Sequence, residues 1–93
     1  MDKDTVTVDG TLVTKINELL ASGFEIAPDK LVPSANLVTD LGLDSLDAVD
    51  MLVYIEDKFN IKVDGDKLRS MQTLQDVYVL ATEAVEKSKS SVN

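Results

Sequence analysis

Apolar residues recur at helical spacing in three stretches of the chain, and these stretches predict its long helices. The first runs from about residue 11 to 22 and ends at Gly23, the second from about 44 to 60, and the third from about 74 to 87 with Thr73 as its N-cap. A shorter helix is predicted at about 66–70. No segment alternates for long enough to predict a paired strand, so the fold class is all-α, a small four-helix bundle.

The segments around these helices predict the domain limits. Residues 1–10 are expected to form a mobile N-terminal tail, residues 11–87 the domain, and residues 88–93 a disordered C-terminal tail. A long loop with two prolines occupies 24–40, and its apolar residues are expected to lie over the core. These are Phe24, Ile26, Leu31, Val32 and Leu37.

The second helix carries more apolar surface than one core contact requires. At about 100° per residue, one broad stripe consists of Ala48, Met51, Leu52, Ile55 and Phe59. A second, narrower strip consists of Leu46, Val49 and Val53, with Asp47, Asp50, Glu56 and Asp57 along its borders. Either the strip packs against neighbouring helices, or it is a docking surface with an apolar centre and an acidic rim.

Charge is concentrated on the same segment. The chain has 93 residues and a formal net charge of −8, and residues 31–57 contain six acidic residues and no basic one. Nucleic acid and anionic membranes repel such a surface, whereas proteins with basic patches are attracted to it. With neither Cys nor His, the chain lacks a cysteine nucleophile, a Ser-His-Asp triad and a thiolate or imidazole metal site. No apolar run is long enough for a transmembrane helix, and the polar N-terminus is unlike a signal peptide, so a cytoplasmic location is expected.

The start of the second helix contains a candidate modification site. Asp44 is a suitable N-cap, and Asp47 follows at the position of a capping-box partner. Ser45 then occupies the first helical position with its hydroxyl towards solvent, and Gly42 has no side chain to obstruct approach. Without a nearby base, Ser45 is not a self-activated nucleophile. It is either a plain surface serine or an acceptor for a phosphodiester, which the helix N-terminus would stabilise.

The segment Asp40-Leu41-Gly42-Leu43-Asp44-Ser45-Leu46-Asp47 resembles the signature of acyl carrier proteins, and the resemblance covers roughly residues 11–86. It implies that Ser45 carries 4′-phosphopantetheine, with Gly42 and Asp44 beside it, and that a separate transferase attaches the group. It implies a carrier rather than an enzyme, with the second helix recognised by acyl-transfer and chain-elongation enzymes through basic patches. The sequence itself gives no reason to expect an oligomer, so a monomer is expected. The docking residues would be Asp47, Asp50, Glu56 and Asp57 with Leu46, Val49 and Val53. The resemblance also implies an acyl-chain cavity lined by Ala48, Leu52, Ile55, Phe59 and Val63.

Three alternatives stay open at this stage. The chain could carry aminoacyl or peptidyl groups, although its acidic second helix favours acyl groups. It could be an interaction module with an acidic docking helix and an unmodified Ser45. It could bind calcium, but its aspartates do not follow the EF-hand spacing, so no dedicated metal site is expected. Between fatty-acid, other lipid and polyketide synthesis the sequence does not decide.

Overall fold

Three long helices and two short 3₁₀ helices form the molecule in the computed structural model, which describes residues 10–63 and 65–90. Helix α1 spans Gly10–Gly23, α2 spans Ser45–Phe59 and α3 spans Leu74–Ser90. The shorter predicted helix is a 3₁₀ helix, Gly65–Ser70, and an unpredicted 3₁₀ turn, Pro28–Lys30, lies in the first long loop. Within the described ranges there is no strand, only an isolated bridge between Asn36 and Thr73. The all-α fold class is confirmed.

The predicted tails coincide only partly with the described residues. Helix α3 continues to Ser90, so residues 88–90 are helical where a disordered tail is predicted. Neither glycine nor proline follows Lys87 to end the helix there. Gly10, assigned to the N-terminal tail, begins α1. The remaining tail positions, 1–9 and 91–93, lie outside the described residues.

The core is built from one face of each long helix. Its fully buried side chains are Ile16 and Leu20 of α1, Met51 and Ile55 of α2, and Leu74, Val77 and Tyr78 of α3. The long loop adds Ile26, Leu31, Ala35 and Leu37 to the same cluster. Val32 is the exception among the loop residues expected over the core, because 45% of it is exposed.

A buried tyrosine links α3 to α1. The Tyr78 hydroxyl donates a hydrogen bond to the side-chain oxygen of Asn17. Burial raises the pKa of Tyr78 above its ordinary value, and the bond to Asn17 opposes this in part. The hydroxyl therefore stays satisfied inside an apolar contact between the two helices.

The long loop between α1 and α2 closes the N-terminus of α3. The Leu74 N–H donates to the Ala35 carbonyl and the Gln75 N–H to the Pro33 carbonyl, each at 2.9 Å. These are two of the donors that a helix leaves without an internal partner. The middle of the loop is thereby attached to α3, while its C-terminal end leads into α2.

Candidate functional site

The N-terminus of α2 is held by a reciprocal capping box. The Asp44 carboxylate accepts the Asp47 N–H at 2.9 Å, and the Asp47 carboxylate accepts the Asp44 N–H at 3.4 Å. The capping box predicted from the sequence is therefore present, with Asp in place of the usual Glu. It fixes the direction in which the first turn of α2 presents its side chains.

Ser45 lies on the first turn of α2 and is exposed. Among the described residues, no hydrogen bond engages its hydroxyl, nor the backbone N–H groups of Ser45 and Leu46. Gly42 precedes it with a positive φ of 71°, and a Cβ atom built there would meet nothing within 4 Å. The serine therefore stands at the positive end of a helix dipole, in open space and with two N–H groups to offer an anion.

The narrow apolar strip of α2 faces outward. Leu46 is 76% exposed, Val53 52% and Val49 45%. The broad stripe of the same helix is the side that packs inward, with Met51, Leu52 and Ile55 buried. Of the two interpretations left open by the sequence, packing of the strip against neighbouring helices is therefore wrong.

The four acidic residues beside this strip differ in their surroundings. Asp50 and Asp57 are exposed, and their carboxylates make no hydrogen bond within the described part of the chain. Asp47 is engaged in the capping box, and a Glu56 carboxylate oxygen accepts the Val63 N–H at 2.8 Å. Asp47 and Glu56 therefore have structural roles as well as charge, which the sequence did not reveal for Glu56.

Sequence reasoning missed Val38, which is 64% exposed. The Asn36 side chain accepts the Val38 and Thr39 N–H groups, and the Val38 carbonyl accepts the Gly42 N–H at 3.0 Å. This turn holds an apolar side chain just before the segment that contains Ser45. An asparagine two residues upstream is a known turn signal, so the turn was open to prediction but the exposure was not.

The five residues expected to line an acyl-chain cavity lie in and around the core. Ile55 and Leu52 are buried, and Ala48, Phe59 and Val63 are half-buried. Phe59 and Val63 pack against the core cluster. The residues thus share an apolar region, and their role as a cavity lining remains a prediction.

Neither a metal-binding cluster nor a membrane-spanning helix is found among the described residues. In residues 10–63 and 65–90, no three acidic side chains come together as a group that could hold a metal ion. None of the described helices combines the length and the apolar character that crossing a membrane requires.

Comparison with known proteins places this site in a family. Residues 14–78 match the family model described as the phosphopantetheine attachment site. An acyl carrier protein of Syntrophus aciditrophicus (strain SB) is 36% identical over 67 residues, which cover 72% of this chain and 84% of that protein. The chain belongs to the acyl carrier protein family. Members of this family are carrier proteins and not enzymes.

Other relatives agree with this assignment. An acyl carrier protein of Thermosynechococcus vestitus is 30% identical over 66 residues, covering 71% of this chain and 82% of that protein. The crystal structure of an acyl carrier protein from Thermotoga maritima matches with a TM-score of 0.74 at 18% identity, over 84% of this chain and 91% of that one. This structural match confirms the fold of the helical bundle.

Proposed function

We propose that Ser45 carries the 4′-phosphopantetheine group and that the protein delivers acyl intermediates, held on it as thioesters, to biosynthetic enzymes. The observation that supports this most directly is the exposed Ser45 hydroxyl on the capped first turn of α2. That turn lies within the residues that match the phosphopantetheine attachment family. A transferase that uses coenzyme A would supply the group.

The surroundings of Ser45 fit a phosphodiester. The N–H groups of Ser45 and Leu46 are available, and the helix dipole favours negative charge there. The Asp44 and Asp47 carboxylates are turned to each other's backbone by the capping box, which leaves the serine accessible. The open space at Gly42 admits a transferase close to the backbone.

The bound group would supply the thiol on which an acyl chain is held, and this chain contains no cysteine of its own. The protein's own contribution is to position. The capping box orients the attachment site, and the rigid helix α2 separates it from the docking side chains by a constant distance.

The docking surface would consist of Leu46, Val49 and Val53 with the carboxylates of Asp47, Asp50, Glu56 and Asp57 around them. The three apolar side chains lie along one side of α2, and each is at least 45% exposed. Such an exposed apolar strip supports an interaction surface. The six acidic residues in 31–57 would attract enzymes with basic patches and speed their encounter. Because the transferase and its coenzyme A are cytoplasmic in this scheme, the cytoplasm is the proposed location.

The test is an intact-mass measurement after incubation with coenzyme A and a phosphopantetheinyl transferase. Wild-type protein is expected to gain the mass of one phosphopantetheine group, and Ser45→Ala none. Ser34→Ala, which removes another exposed serine, is the matched control and should gain the same mass as wild type. A mass gain by Ser45→Ala would refute the site. No gain by wild type with an active transferase would favour the alternative of an interaction module with unmodified Ser45.

The acyl group that the protein carries in cells would identify the class of pathway it serves. We propose fatty-acid or related lipid or polyketide synthesis, because the acidic docking helix favours acyl over aminoacyl cargo. Mass analysis of the thioester isolated from cells would distinguish these: an amino acid or peptide on Ser45 would contradict the proposal.

A further inference from the structure

A cleft lies beside the proposed docking strip, between the C-terminus of α1 and the C-terminal half of α2. This α1–α2 cleft has a volume of about 250 Å³ and is lined by Leu19, Ser22, Gly23, Tyr54, Asp57 and Lys58. Asp57, which lines the cleft, lies one helical turn after Val53 on the same side of α2, so the cleft borders the strip. Neither the attachment of a group at Ser45 nor the strip itself accounts for it.

Tyr54 places a half-exposed aromatic ring in the cleft. Tyr54 is 48% exposed, and its ring contacts that of Phe24, at 5.7 Å between centroids and 66° between planes. An edge-to-face pair of this kind holds a ring in a defined orientation. Gly23 borders the ring: a Cβ atom built there would lie 3.9 Å from it, an ordinary van der Waals distance.

Two features of the cleft are negative. Asp57 contributes an exposed carboxylate. The last turn of α1 contains no basic residue, and among the described residues no N–H donates to the carbonyls of Ser22 and Gly23. Carbonyls at a helix C-terminus favour a cation. An aromatic ring, a carboxylate and a helix C-terminus therefore meet in one cleft, and each of them attracts positive charge. Lys58, which also lines the cleft, opposes this attraction.

We propose that the α1–α2 cleft receives an arginine side chain of an enzyme that docks on α2. A guanidinium group fits these three partners together because it stacks on a tyrosine ring, forms two parallel hydrogen bonds with a carboxylate, and has further N–H groups for carbonyls. An ammonium group is compact and strongly hydrated and meets fewer of them at once. This inference depends on the proposed function only for the identity of the partner as a docking enzyme.

The test is an NMR titration of the full-length protein with N-acetyl-arginine amide, followed through the backbone amides. Saturable shifts are expected at Gly23, Tyr54 and Asp57. N-acetyl-citrulline amide, which has the same shape without the charge, should cause no saturable shift there. N-acetyl-lysine amide should bind about threefold more weakly than the arginine compound, since it lacks the planar group.

Variants of the cleft separate its parts. Tyr54→Leu keeps apolar bulk but removes the ring, and should weaken arginine binding about threefold, whereas Tyr54→Phe should bind as wild type. Asp57→Asn should weaken binding, and Asp29→Asn, which removes the same charge elsewhere on the surface, should not. Lys58→Gln should strengthen binding, because it removes a positive charge from the rim.

Three results would overturn the proposal: equal shifts with citrulline, wild-type affinity in Tyr54→Leu, or shifts centred away from the cleft. Every titration is repeated on Ser45→Ala. Because arginine binding needs no attached group, a failure of the proposed attachment at Ser45 leaves these outcomes intact and is recognised separately by mass.

Discussion

The Asp76 carboxylate fastens the turn before α3 to the helix. One of its oxygens accepts the N–H groups of Gln72 at 2.8 Å and Thr73 at 3.1 Å. The hydrogen bond from Gln72 is the largest cause that holds the pKa of Asp76 below its ordinary value of 3.8, against a smaller desolvation effect. The Asp76 side chain therefore holds Gln72 and Thr73 against the first turn of α3.

Asp76→Asn should therefore lower stability in a pH-dependent way. A depressed folded-state pKa means that the carboxylate stabilises the protein above its unfolded-state pKa, and that this contribution is lost as the pH falls through the folded-state pKa. We expect a loss of about 1 kcal/mol near neutral pH, by analogy with other helix caps. The difference from wild type should shrink in acid. Urea unfolding at a series of pH values measures it.

The exposed Asp29 provides the control, since Asp29→Asn changes the net charge equally without touching a cap. A stability loss in Asp76→Asn that stays constant down to the acid limit would show that the charge of the carboxylate plays no part.

At the scale of the element, the two faces of α2 have different roles. One face is packed into the core, and the other presents the apolar strip with exposed carboxylates. Asp50 and Asp57 are the pair whose charge can be changed without removing a described hydrogen bond, whereas Asp47 and Glu56 each hold a backbone N–H. Charge-reversal experiments on docking should therefore use the first pair.

Asp50→Lys combined with Asp57→Lys is expected to lower kcat/KM of phosphopantetheine transfer about tenfold at low salt, because attraction to a basic partner is lost. The effect should diminish as salt is added. Melting temperature should hardly change. The matched control reverses two exposed acids outside α2, Glu18→Lys with Asp29→Lys. Equal transfer rates in both double variants would mean that only total charge matters and not the surface of α2.

Glu56→Ala should instead reduce stability. Its carboxylate accepts the Val63 N–H and so ties the end of α2 to the segment that leads to the second 3₁₀ helix. Loss of a hydrogen bond to a charged group in a half-buried place is expected to cost about 2 kcal/mol. Denaturant unfolding beside Asp57→Ala, its exposed neighbour, measures this. Indistinguishable midpoints for the two variants would contradict a structural role for Glu56.

For the whole molecule, the excess of acidic residues predicts self-repulsion of the folded chain. The net charge is −8, and an ion pair joins the exposed side chains of Lys67 and Glu83 at 3.9 Å. Such a surface pair contributes little, and 17 acidic residues against 9 basic ones leave the acidic side chains in net repulsion.

Added salt or magnesium should therefore raise the melting temperature, since both screen or neutralise the repulsion. Thermal unfolding over a range of sodium chloride up to about 0.5 M, with magnesium chloride in parallel, tests this. The Asp50→Lys, Asp57→Lys protein has half the formal charge and should respond less steeply. A melting temperature that does not change with salt would show that repulsion does not limit stability.

The sequence by itself determined the helices and the candidate attachment site, because both depend on local patterns. Apolar spacing, Gly23 and Thr73 located the long helices within a few residues, and Asp44 and Asp47 predicted the capping box that orients Ser45. A helix cap is made by residues three apart, so it can be read from a short stretch of chain.

Only the tertiary structure decided which apolar residues remain exposed. Leu46, Val49 and Val53 suited either a helix contact or solvent, and the answer depended on where α1 and α3 pack. The cleft between Tyr54 and α1 likewise needs two helices to come together. The hydrogen bond of Glu56 with Val63 needs the chain to fold back after α2, which no local pattern signals. Periodicity shows which residues share a face of a helix, and packing alone decides what that face meets.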